Sequence, residues 1–87
     1  MGVQPLTTRE GTGYVLSPER YDAGVNRLGA LERMWADLEA RQAAIPGELQ
    51  ALREAGKEKT VKFRELMAEK LTNAAILSAL ERAERWG

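Results

Sequence analysis

"LGALERMWADLEARQAAIPGELQAL", residues 28–52, decides the fold of this chain. Leu28, Leu31, Trp35, Leu38, Gln42, Ile45, Leu49 and Leu52 recur at alternating spacings of three and four. That is the a/d pattern of a heptad seam, the signature of a helix that buries one narrow stripe. Upstream, Tyr21 and Gly24 extend the same register. The pattern runs through Pro46 without a phase shift. Pro46 removes a backbone donor, and its ring crowds the carbonyl of Gln42. Two readings stay open: one long helix over roughly residues 18–55, kinked near 42–46, or a helix that stops there and a second that starts with Pro46 in its first turn. The unbroken register favours the first.

The ends of this helix carry their own signals. "SPER", residues 17–20, offers Ser17 as N-cap, Pro18 at the first position and Glu19 in the first turn. Gly56 suits the residue after a helix. Thr60 can cap a following segment that carries Phe63, Leu66, Met67 and Leu71 on one face. Ile76, Leu77, Leu80 and Ala83 continue that stripe, and Trp86 is expected to pack back on the long helix. "LTNAA", residues 71–75, holds a second possible cap in Thr72 or Asn73, so this segment reads as one helix or two. Before Ser17, three glycines, a proline and several threonines surround "TGYVLS", residues 12–17, which suits a short strand or extended arm. Such an arm can lie on the helices, pair across a dimer, or stay mobile. The predicted fold is all-α: a long heptad helix folded back at "AGKEKT" on one or two shorter C-terminal helices. Residues 1–16 form an extended N-terminal arm, and 17–87 form a single hairpin or bundle domain.

Composition bounds the function. The chain has 87 residues, 44% of them hydrophobic, with thirteen basic and thirteen acidic side chains and no net charge. This is one small domain with no overall field to draw nucleic acid or an anionic membrane. Cys and His are both absent, which removes disulfides, thiolate metal sites and the commonest general base. No apolar run approaches the ~20 residues of a membrane span, and "MGVQPLTTREGTG" has no secretory n- and h-regions. A cytoplasmic, non-enzymatic protein without cofactor or metal is the expectation. Glu32 with Glu39, and Glu65 with Glu69, share helix faces but read as solvated faces or salt-bridge partners. DNA binding ranks low, because no helix-turn-helix pattern stands out.

Two hairpin helices bury little apolar surface, so assembly is expected. The seam of Leu28, Leu31, Trp35, Leu38, Ile45, Leu49 and Leu52 would join copies. In a parallel pair, Arg27 would meet Glu32 and Glu48 would meet Arg53. One stretch breaks a local rule. Lys57, Lys59, Lys62 and Arg64 crowd the start of a helix, where the dipole favours acids. With Thr60 supplying a hydroxyl and Phe63 a stacking face, these residues form the candidate ligand site, suited to an anion such as a cyclic oligonucleotide. A solvated turn with Lys–Glu pairs is the plain alternative. The first glycine of a P-loop is missing, so an ATPase is excluded.

"YDAGVNRLGALE", residues 21–32, resembles the Asn-Arg-Leu helix of many small phage and prophage proteins of Gram-positive bacteria. "GKEKTVKFRELMAEKLTNAAILSAL", residues 56–80, is similar to the C-terminal half of small proteins from such mobile elements. Together the two stretches cover 37 of 87 positions. The resemblance implies a mobile-element accessory protein, a class that counters host defence by sequestering a signalling nucleotide or by blocking a host protein. A protein-binding inhibitor acting through a helix face or the arm is therefore the rival to ligand binding, and a purely structural coiled coil is the third reading.

Overall fold

The computed structural model describes residues 2–86, with Trp86 described in its backbone only. The packing expected of the Trp86 side chain thus lies outside the described residues. Four elements follow one another: β1 (Thr8–Glu10), β2 (Gly13–Val15), α1 (Tyr21–Glu54) and α2 (Val61–Trp86). A single 3-10 turn, Pro18–Arg20, leads into α1. The two helices form a hairpin 57 Å long and about 24 Å across.

α1 is one helix of 34 residues and runs through Pro46. The helix continues through Pro46 as the unbroken register predicts, and no break occurs there. Burial explains why. Ile45 and Leu49 flank the proline, and they are 0% and 2% exposed against Leu66, itself 2% exposed. Leu52, Phe63 and Met67 pack around these three. Burying three large aliphatic side chains contributes roughly 1.5–3 kcal/mol each, enough to offset the ~3 kcal/mol a mid-helix proline costs.

The turn between the helices is built by its sequence. Gly56 takes φ +70°, where a Cβ is unfavourable. The N–H of Lys57 donates to the Leu52 carbonyl at 2.7 Å and that of Gly56 to the Arg53 carbonyl at 3.0 Å. These two bonds are the Schellman pair, which satisfies the last carbonyls of α1. Thr60 then caps α2: its Oγ1 accepts from the Phe63 N–H at 3.3 Å and donates to the Lys57 carbonyl at 2.6 Å. Val61–Trp86 is one helix, so neither Thr72 nor Asn73 restarts the chain. Asn73 is instead a buried mid-helix residue whose Nδ2 donates to Glu69 Oε2 at 3.4 Å.

The N-terminal segment differs from a single extended strand. β1 and β2 pair antiparallel with Thr8 opposite Val15, Arg9 opposite Tyr14 and Glu10 opposite Gly13. The two-residue loop is Gly11–Thr12, with positive φ at Gly11 alone, the geometry of a type II′ turn. Arg9 lies over the Tyr14 ring at 5.3 Å. The chain on either side of this β-hairpin is tied to the 3-10 turn and the start of α1. Arg27 Nη1 donates to the Gln4 carbonyl at 2.7 Å, and Arg20 Nη1 to the Leu6 carbonyl at 3.4 Å. Leu16 sits so close to Gly24 that a Cβ there would fall 2.6 Å from its Cδ2. The heptad position at Gly24 is thus taken by the arm. Ser17 stands at the N-cap position, but its hydroxyl makes no capping bond.

Candidate functional site: an acid-rimmed groove and a basic turn

The heptad seam is divided in two. Its C-terminal half, Ile45, Leu49 and Leu52, packs on α2 of the same chain. A seam joining copies along its whole length is therefore already filled over these residues, because the chain folds back at Gly56. In the N-terminal half, Leu28 and Leu31 stay 56% and 48% exposed, and Trp35 and Leu38 are half-buried.

At this end the helices leave a groove of about 910 Å³ between them. Its floor is apolar: Leu28, Leu31 and Trp35 from α1, with Leu80 and Ala83 from α2. The N-terminal arm contributes Thr7, just before β1, and Tyr14 of β2 to one wall. Three carboxylates, Glu32, Glu39 and Glu84, complete the lining. None of the three pairs with a cation among the described residues, whose ion pairs are Arg33–Asp37, Arg41–Glu48 and Arg41–Glu69. The stripe Ile76, Leu77, Leu80 and Ala83 signals half of this groove in the sequence. Thr7 and Glu84 carry no such signal, since only the hairpin fold brings them to it.

Of the six residues at the basic turn, Lys57, Thr60 and Phe63 are linked through the cap of α2. Lys57, Lys59, Lys62 and Arg64 are exposed. None makes a close ion pair among the described residues, although Lys62 is near enough to Glu69 for its charge to help lower that carboxyl. Phe63 faces the core cluster, and Arg53 lies over its ring at 5.2 Å, a cation–π contact. At 100° per residue, Lys62 and Arg64 leave α2 on opposite flanks of Phe63. The Thr60 hydroxyl is engaged in the cap just described.

Between groove and turn, one ion network clamps the helices. Arg41 Nε donates to Glu69 Oε2 at 2.6 Å and Nη2 to Glu69 Oε1 at 2.9 Å. The same guanidinium bonds Glu48. Hydrogen bonds from Arg41 hold the Glu69 carboxyl below the ordinary glutamate value of 4.5. Those with Glu69 and then Glu48 push the Arg41 pKa up. Glu48 is therefore committed within its own chain rather than to Arg53 of a second copy. The expected role of Glu69 as a salt-bridge partner is met, on a partner that spacing along the chain does not reveal. A group whose pKa falls on folding contributes stability above its unfolded value, and that stability is lost as pH drops through the folded one. Thermal melts of the wild type should thus lose midpoint steadily below about pH 4.5. In Glu69→Gln that part of the acid slope should vanish, with a lower plateau near neutrality.

Among the described residues, no three carboxylates gather closely enough to hold a metal ion, and no helix is long and apolar enough to cross a membrane. No protein-family model, curated protein or solved structure matches the chain.

Proposed function

We propose that this is a non-enzymatic, cytoplasmic helical binding protein that holds an apolar helical segment of a polypeptide in the groove between α1 and α2. One observation carries the reading: Leu28 and Leu31, which share the register of the buried Ile45 and Leu49, stand open at a groove large enough for several side chains. A helix-in-groove contact uses this kind of surface, with apolar anchors at helical spacing seated on an apolar floor. The carboxylates on its lining favour a segment with basic flanks. The resemblance to phage accessory proteins supports a setting in which such binding blocks a host protein.

The second reading, an anionic nucleotide-like ligand at the basic turn, is favoured by the unpaired Lys57, Lys59 and Arg64. Because Lys62 and Arg64 diverge, it needs turns from several copies to meet. One experiment separates the two. A photo-reactive phenylalanine is placed at position 31 or at position 59, and cells are irradiated. The groove reading expects a polypeptide adduct from position 31 and none from position 59. If position 31 gives none, and Lys57→Glu with Lys59→Glu abolishes binding of a cyclic dinucleotide, the groove reading falls and the basic turn takes its place.

A further inference from the structure

We infer that the polypeptide held in the groove is a second copy of this chain, its α1 parallel to the first, so that the open ends of two hairpins close into a four-helix bundle. This rests on the groove reading above and names its occupant.

The exposed surface is larger than a monomer of this mass should show. A folded monomer of 9.7 kDa exposes about 5,100 Å² by the usual scaling of area with mass. This chain exposes 6943 Å², a surplus of about 1,800 Å² over that scaling. A standard interface buries about 800 Å² per partner, and obligate dimers bury more. The radius of gyration agrees: it is 18.2 Å, against about 12 Å for a compact domain of this length. The surplus includes what a monomer core would hide, since Tyr21, Val25, Leu28, Leu31 and Met34 are all exposed on the first half of α1.

Charge favours the same pairing and also sets its direction. In the heptad register Arg27 precedes Leu28 at a g position, and Glu32 follows Leu31 at an e position. In a parallel pair, g of one chain meets e of the next heptad in the other. Arg27 then faces the Glu32 of the second copy, twice by symmetry. The bond from Arg27 to Gln4 uses one of its five N–H donors and leaves the others for this contact. An antiparallel pair centred on Leu31 would instead bring Glu32 against its own copy. Leu28, Leu31 and Trp35 form the layers of the parallel core, and the pairing stops near Leu38, where α2 takes over the stripe. Both basic turns then lie at the end of the particle away from the interface.

Sedimentation velocity and light scattering on the full chain, from about 10 to 500 μM, test this. The expected mass is twice 9.7 kDa. Leu31→Glu should leave a helical monomer, with the dissociation constant raised more than about a hundredfold, because a charge then sits in each copy of the core layer. Arg27→Glu should weaken the dimer about tenfold, and Arg27→Glu combined with Glu32→Arg should restore it to within about threefold. Should Leu31→Glu fail to fold, this exposed charge reversal decides alone, and its rescue cannot come from the arm contact that both variants lack. A monomer at every concentration, or a dimer indifferent to the charge reversal, overturns the inference. A monomer whose position 31 still cross-links a foreign polypeptide overturns the second copy and leaves the groove reading standing. A monomer that cross-links nothing ends both.

Discussion

Ile45→Ala should lower the stability of the chain by about 3 kcal/mol and its melting midpoint by roughly 15 °C, measured at fixed protein concentration. The size of the effect follows from how little else is buried. Only Ile45, Leu49 and Leu66 are buried apolar side chains among the described residues, and Ile45 is the one with no exposure at all. An 87-residue domain has about 4–13 kcal/mol in total, so this one truncation removes a large share. Neighbouring Ala43 and Ala44 are exposed and too small to collapse into the void. A loss below about 1 kcal/mol would show that the hairpin is held elsewhere, and the Arg41 network would then carry the contact.

Pro46→Ala should act in the opposite direction, raising stability by about 2 kcal/mol and the midpoint by roughly 10 °C. The substitution supplies the missing donor to the Gln42 carbonyl and removes the ring that crowds it. It also frees Ile45, the residue before the proline, from a bias against helical angles. The unfolded chain gains freedom worth about 0.4–1 kcal/mol, which reduces the benefit without reversing it. Calorimetry on the two proteins reads the difference directly. A fall in the midpoint would mean that the path of α1 at Pro46 is what brings Ile45 and Leu49 together onto Leu66. The groove would then depend on that path too, since the same helix carries Leu28 and Leu31 N-terminal to Pro46.

Much of this architecture is legible in the sequence, for reasons that can be named. The a/d register specifies α1 across Pro46 because burial of a continuous stripe outweighs one lost hydrogen bond. Gly56 and Thr60 mark the turn because each does a job few other residues can: one accepts positive φ, the other caps with a hydroxyl. Three features were not legible. Residues 12–17 read as a single strand or arm, and nothing in their own composition names Thr8–Glu10 as the partner across the Gly11–Thr12 turn. Asn73 has the chemistry of a cap, yet it lies buried within α2 and bonds Glu69 one turn earlier in the same helix. The division of the seam was hidden as well. Periodicity tells which residues share a stripe and says nothing of whether α2 or another chain covers each part. For the candidate site, the cations at the turn were visible as charges, but their divergence around Phe63 follows from the helix starting at Val61.

The uneven packing along the hairpin also sets an order of events when the chain folds. Leu49 and Leu66 are 17 positions apart in the sequence, whereas Leu28 and Ala83 are 55 apart. Closing the longer loop first would cost about 1 kcal/mol more in chain entropy, with no buried cluster to reward it. Contacts should therefore form beside the Gly56 turn and zip outward, the fast route open to folds built on local pairing. The same gradient persists in the finished molecule. Amide protons near Leu49 and Leu66 should exchange only when the whole hairpin unfolds, while those around Leu31 and Leu80 exchange through partial opening. The open end is thus the part of the molecule that can part and re-form without undoing the rest.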